Sequence, residues 1–209
     1  PGKGSTFTVT VATGPLKDVS KMRLEATITQ GTLSLYDYEL KNDGPMSFAI
    51  TDRKLTIGDF NLLGKDTKVG LTGGVSMADS TADLQIRGDV NLSILERAPF
   101  WTSSGHAKLN ASIRGAFDQP VMSGSAEVQG GRFRYGTLPS LTDIAGTLTF
   151  DDRGVNADGL HARMGGGDVA FGGNVTVRLD EYRFDRYNLT ALGKSMLVRY
   201  PEGFNSRVN

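Results

Sequence analysis

The chain has 209 residues, with no cysteine and only two histidines. The absence of cysteine excludes disulfides and thiolate metal sites, and it is compatible with either a reducing or an oxidising compartment. No apolar run approaches the ~18 residues that a membrane-spanning helix needs, and no secretion signal opens the sequence. We therefore expect any anchor or targeting signal to lie elsewhere in a longer protein, of which this chain is a fragment.

Neither sign of charge is in excess, because 23 basic residues balance 23 acidic ones. A neutral chain gives no electrostatic reason to expect nucleic acid or an anionic membrane surface as a partner. Glycine is the compositional outlier, since its 27 residues are about twice the ordinary usage.

Residue types that carry catalysis do not cluster in the sequence. His106 and His161 lie far apart, and Asp151-Asp152 is better explained by turn chemistry. Gly193-Lys194-Ser195 lacks the earlier glycine that a phosphate-binding loop needs. We therefore predict that the chain is not an enzyme, with no catalytic residue, no metal site and no cofactor, although a bound phospholipid or detergent molecule is compatible with the sequence.

Alternation of apolar and polar residues runs along most of the chain. Phe7, Val9 and Val11 alternate with threonine, and so do Leu24 and Ala26 with polar neighbours. Such a period of two places every second side chain on one face of a strand and is typical of antiparallel sheets. We predict an all-β chain with one elongated antiparallel sheet and at most one short helix, near residues 92–98.

An internal repeat becomes visible when the sequence is laid over itself with an offset of 100 residues. The strand at 69–75 then falls on 169–175 without a gap, and Asp52-Arg53 falls on Asp152-Arg153. Further along, Leu84 falls on Phe184. We predict two continuous modules, residues 1–100 and 101–209, in an array that lengthens by repetition.

Large apolar side chains occupy one face of the predicted strands, and burying each is worth ~1.5–3 kcal/mol. A sandwich, a closed sheet or a folded trough would each bury such a face, and periodicity does not choose among them. The repeat favours the trough, because sandwiches close at ~100 residues. The predicted lining of this groove is Leu33, Leu35, Phe48, Ile50, Leu55, Ile57, Leu71, Val75, Phe133, Tyr135, Leu148, Phe150, Val169, Phe171, Val175 and Phe184.

The stretch from Ser123 to Val177 resembles the repeats of the TamB-like proteins of the AsmA-like superfamily, a group of bridge-like lipid-transfer proteins. The resemblance is carried by Gly130-Gly131-Arg132-Phe133, by the Gly165-Gly166-Gly167 run and by the Gly172-Gly173 strand. It extends over about residues 90–209. These are glycine and apolar patterns rather than catalytic signatures.

The resemblance implies a taco-shaped β groove with an apolar interior, in the periplasm of a diderm bacterium, within a protein anchored in the inner membrane. It implies conduction of phospholipid acyl chains between the inner and outer membranes. The alternative is a chaperone-like or structural module that assists outer-membrane protein assembly. In that case an Omp85-type barrel would be the partner, through parts of the protein outside this chain. A third alternative is an extracellular adhesin-type β solenoid with a solidly packed interior.

Overall fold

The structure is a computed structural model, and it describes residues 6–12, 23–35, 38–96, 101–151, 154–178, 183–199 and 205–208. The strands before the midpoint are β1 (Thr6–Ala12), β2 (Arg23–Gln30), β3 (Thr32–Leu35), β4 (Tyr38–Asn42), β5 (Met46–Thr51), β6 (Lys54–Gly64), β7 (Thr67–Ser76) and β8 (Thr81–Asn91). The later strands are β9 (Trp101–Ala116), β10 (Val121–Tyr135), β11 (Leu141–Asp151), β12 (Gly154–Met164), β13 (Gly167–Arg178), β14 (Arg183–Lys194), β15 (Met196–Arg199) and β16 (Asn205–Val208).

Fourteen of these strands form a single sheet, in the order β1-β2-β5-β6-β7-β8-β9-β10-β11-β12-β13-β14, and β3 and β4 pair beside this path. β15 and β16 form a separate two-stranded sheet. The registers that the structure describes are antiparallel throughout. The predicted all-β, antiparallel fold is therefore confirmed.

The one helical segment among the described residues is a short 3-10 helix at Leu92–Leu95. The side chain of Asn91 caps it by accepting a hydrogen bond from the Ser93 N–H. At its other end, the indole N–H of Trp101 donates to the Leu95 carbonyl. The short helix predicted near 92–98 is thus present as a single turn, and residues 97 and 98 lie outside the described part of the chain.

Compactness divides the chain into two units. The first unit comprises residues 1–89 and 110–122, and the second comprises residues 90–109 and 123–209. The predicted module boundary between residues 100 and 101 stays a prediction.

Within the first unit, β2, β5, β6, β7 and β8 pair in turn, so that one residue from each lies directly opposite the next. One such row, here called a rung, is Leu24, Ile50, Leu55, Val75 and Ala82.

Within the second unit, β10 to β14 pair in the same succession. The corresponding rung is Gly124, Phe150, Val155, Val175 and Tyr187. Its first four members each lie 100 residues after their counterparts in the first unit. The pairing of four strands that are neighbours in the sheet therefore recurs at the spacing of 100 residues that the sequence overlay identified.

The fifth strand of each repeat, β8 or β14, departs from that spacing. Gly73 pairs with Leu84 in the first unit, whereas Gly173 pairs with Leu189 in the second. The offset between β8 and β14 is therefore 105 residues, because the β13–β14 pairing continues past Thr176 to Arg178 with a register shift, whereas the β7–β8 pairing ends at Ser76. The overlay of Leu84 on Phe184 was wrong for this reason, and Phe184 instead pairs with Val177.

A β-bulge interrupts the third strand of each repeat. In β6 the register gains one residue between Ile57 and Phe60, and in β12 it gains one between Asn156 and His161. An extra residue in one strand preserves the apolar face beyond the bulge and increases the local twist. Without it, Phe60 would point to the face opposite Ile57.

Glycine occupies a kink in the fourth strand of each repeat. Gly73 has φ of 120° and Gly173 has φ of 97°. A Cβ atom would lie 2.0 Å from the Asp83 carbonyl oxygen at the first position, and 1.9 Å from the Asn188 carbonyl oxygen at the second. Both positions therefore require glycine for its backbone conformation and for the close approach of the neighbouring strand.

Candidate functional site

The apolar face of the first unit is built from successive rungs of its sheet. Beside the rung that begins at Leu24, a second rung contains Ala26, Phe48, Ile57, Gly73 and Leu84. Past the β6 bulge, Phe60, Leu71 and Ile86 continue the same face. The rings of Phe48 and Phe60 meet edge to face, with centroids 5.9 Å apart. The side chains of these two rungs, together with Phe60, Leu71 and Ile86, form the first-unit apolar face.

The second unit repeats this arrangement with other side chains. Its face contains the rung of Phe150, Val155 and Val175, and further along the strands Ala162 lies opposite Val169. Phe171 lies opposite Ala191 on β14. We call these residues, with Ala126, Val128 and Leu148, the second-unit apolar face.

The predicted lining residues fall into three groups by exposure. Leu33, Phe133 and Tyr135 are exposed, and Val169 is buried. The side chains of Leu35 and Phe184 lie outside the described part of the structure. The remaining residues are half-buried, and they are Phe48, Ile50, Leu55, Ile57, Leu71, Val75, Leu148, Phe150, Phe171 and Val175. Whether they line a groove that a ligand occupies stays a prediction.

Among the described residues, small apolar side chains are buried more often than large ones. Among the described residues, no large side chain is fully buried. Most of the buried apolar residues are small: Ala107, Ala111, Ala126, Val128, Ala162 and Val169. Small side chains are covered by neighbours within the same sheet, whereas large ones rise above it and need a second layer to bury them. The large side chains of each face therefore remain partly accessible.

The β12 bulge is held by a carboxylate on the sheet. Asp158 accepts a hydrogen bond from the backbone N–H of Gly173 and another from the Asn156 side-chain amide, at 3.1 Å. The Gly173 N–H, and after it the Asn156 amide, lower the pKa of Asp158. Hydrogen bonds that stabilise the charged form have this effect. Sequence reasoning missed this role, because a bulge is invisible to simple alternation.

Cavities of the first unit lie mainly among polar side chains. One of about 640 Å³ is lined by Lys54, Thr56, Thr72, Asp79 and Gln85, among others. Another, of about 560 Å³, is lined by residues of β2 to β4 such as Thr29, Glu39 and Lys41. The first of these cavities also reaches Ile57, Gly73 and Ala82, which belong to the rungs of the first-unit apolar face.

Metal clusters and membrane-spanning helices are both missing from the part of the chain that the structure describes. No group of three or more His, Cys, Asp or Glu side chains there could hold a metal ion. No helix among the same residues has the length and hydropathy to cross a bilayer.

Some members of the faces were missed by sequence reasoning. Leu24 and Leu84 occupy central rungs but were not among the predicted lining. The alternation around Leu24 was a usable signal, whereas the placement of Leu84 depended on the register of β8.

Searches against protein-family models, curated proteins and solved structures find no match to this chain.

Proposed function

We propose that this chain is a periplasmic segment of a lipid-transfer protein, and that its apolar faces conduct phospholipid acyl chains between the inner and outer membranes. The observation that carries the proposal is the set of large apolar side chains that lie in register, rung after rung, and remain only half-buried. Water contact along such a face is unfavourable, at ~25 cal/mol per Å². A hydrocarbon chain lying across the rungs would relieve it.

Transfer along such a face requires no catalytic residue. Neighbouring strands are ~4.8 Å apart, so an acyl chain that slides by one strand exchanges one set of apolar contacts for a similar set. The free-energy profile is then nearly flat, and the direction of movement must come from the ends of the pathway. The head group would remain in water beside the polar edges.

Membership of the TamB-like family is part of the same proposal. The motifs of residues 123–177 support it, and so does the recurrence of strand register at a spacing of 100 residues. A module that repeats its register can extend a continuous apolar surface in a longer chain. The proposed localisation, in an inner-membrane-anchored protein of a diderm bacterium, follows from this membership.

Photo-crosslinking in cells tests the proposal. A photoreactive amino acid at Leu71 or Phe171 should capture phospholipid. Matched controls at the adjacent positions Thr72 and Ala170, which are exposed on the opposite face, should not. Crosslinks to protein alone at Leu71 and Phe171 would contradict lipid conduction.

A chaperone-like role is the second candidate, and the edge of the sheet favours it. β14 ends the strand order, and its Leu189 and Leu192 are 54% and 75% exposed. An edge strand with exposed apolar side chains can pair with an extended polypeptide. In the same crosslinking experiment, this role predicts capture of an outer-membrane protein at position 192, with no lipid at position 171.

A further inference from the structure

A polar cavity of about 420 Å³ lies in the second unit, where β9 and β11 begin and β10 ends. This volume lies within the ~300–1,000 Å³ range of small-molecule sites. The part of its lining that matters chemically is Glu96, Thr102, Ser104, Arg132, Arg134 and Ser140. The cavity therefore joins two guanidinium groups, one carboxylate and several hydroxyl groups.

The two arginines project from the same face of β10. Arg132 and Arg134 are separated by a single residue, so the alternation of the strand places them side by side. Both are exposed, and neither forms an ion pair or hydrogen bond with another described residue. By contrast, Arg114 pairs with Asp83 at 3.0 Å and Arg163 approaches Asp168 at 3.8 Å. The cavity thus contains two cationic groups without an anionic partner from the described part of the protein.

Hydroxyl groups flank the arginines on both sides. Thr102 and Ser104 belong to β9, and Ser140 precedes β11. A guanidinium presents a fork of donors that fits phosphate oxygens, and hydroxyl groups supply further donors. Glu96 adds a carboxylate to the lining, and a carboxylate attracts an ammonium group. The donor set therefore matches a ligand that carries a phosphate and an amine together.

The same strand end also carries exposed apolar side chains, one of which, Phe133, contributes to the cavity lining. Phe133 and Tyr135 alternate with the two arginines, and Leu138 follows in the turn; they are 37%, 53% and 44% exposed. An amphiphile at this strand end would find apolar contacts beside the phosphate donors.

We propose that this cavity binds the zwitterionic phosphoamine head group of a phospholipid, with the phosphate on Arg132 and Arg134 and the ammonium on Glu96. As a statement about lipid, the inference rests on the proposed function. Recognition of the head group itself does not, because it involves none of the half-buried residues of the apolar faces.

Nuclear magnetic resonance titration of the chain with water-soluble head groups tests this site. Glycerophosphoethanolamine should shift the amide signals of Glu96, Ser104, Arg132 and Arg134 in a saturable manner. Arg132→Gln with Arg134→Gln should weaken its binding tenfold or more. Glu96→Gln should abolish the preference for glycerophosphoethanolamine over glycerophosphate, while glycerophosphate binding persists.

The control is Arg87→Gln with Arg114→Gln, which removes the same charge from the polar surface of the first unit and should leave the titration unchanged. Equal weakening by this control would overturn the site as a nonspecific charge effect. The absence of saturable shifts, or equal binding of inorganic phosphate and glycerophosphoethanolamine, would overturn the head-group assignment. Because no titrant carries an acyl chain, these outcomes are independent of the crosslinking result at Phe171.

Discussion

The two units share a strand register but differ in the side chains that occupy it. The rung of Leu24, Ile50 and Leu55 corresponds to Gly124, Phe150 and Val155. Side-chain volume is thus redistributed between strands while the hydrogen-bonded pairing stays the same. In a tightly packed interior, changes of this size force neighbouring layers to adjust. Their tolerance here indicates faces that must be apolar but need not be complementary to a second protein layer.

The units also differ in how they bend their strands. In the first unit, the segment before β6 is divided into β2 and β3 and into β4 and β5. In the second, β10 and β11 run through the equivalent stretch, with register shifts near Gly130 and Asp143, which have φ of 58° and 51°. Turn and bulge chemistry therefore varies between repeats, whereas the glycine kink in the fourth strand is retained. This contrast predicts which positions tolerate change.

The largest effect is expected at the shared kink. Gly73→Ala and Gly173→Ala should each destabilise the chain by about 3 kcal/mol or more, because both the backbone conformation and a backbone oxygen oppose a Cβ atom. Gly136→Ala is the control, since Gly136 has φ of 53° and a Cβ atom at this position would have no neighbour within 4 Å. It should cost only ~1–2 kcal/mol. Urea denaturation measures all three, and equal losses at the three sites would contradict the role of close strand approach.

An exchange of side chains between the repeats should have a smaller effect. Leu71→Phe gives the first unit the residue of the second, and on a partly accessible face it should change stability by less than ~0.5 kcal/mol. Leu40→Phe is the matched control, because Leu40 is only 4% exposed and overpacking a filled site typically costs ~1–3 kcal/mol. If Leu71→Phe were as destabilising as Leu40→Phe in the same denaturation assay, a covering layer over the first-unit face would be required.

The smallest expected effect concerns the bulge carboxylate, which is specific to the second unit. The pKa of Asp158 is lowered by the folded structure, so its stabilising contribution is present above the unfolded pKa of ~3.9 and is lost as pH falls through the folded value. The stability difference between the parent chain and Asp158→Asn should therefore shrink between neutral pH and pH ~3. Asp118→Asn removes the same charge from an exposed turn as a control. A difference independent of pH would argue against a stabilised carboxylate.

Much of the fold could be predicted because both the alternation of apolar residues and the repeat at an offset of 100 can be recognised from the sequence alone. The overlay of the 69–75 strand on 169–175 anticipated the shared register of β7 and β13 with β6 and β12. It failed at Leu84, because the longer pairing of β13 with β14 changes the offset between the repeats. The bulge near Asp158 was equally hidden, since one extra residue disturbs a period of two in the same way as a turn does.

The candidate site was less accessible to sequence reasoning than the fold. Alternation identifies which side chains share a face, as for Phe48 and Ile50, but it does not tell whether another layer covers them. The partial exposure of the large side chains became visible only with the described three-dimensional contacts. Arg132 and Arg134 appeared in the sequence only as part of a glycine-rich strand start, because the hydroxyl groups that line the cavity with them come from other segments of the chain.

The central claim is that the apolar faces hold a hydrocarbon that is not part of the protein. Mass spectrometry of organic extracts from the chain, purified from cells without detergent, tests it most directly. The parent chain and the control Thr72→Glu/Ala170→Glu should release phospholipid, whereas Leu71→Glu/Phe171→Glu should release little while keeping its strand content by circular dichroism. A parent chain without extractable lipid, or equal lipid in both variants, would contradict the claim.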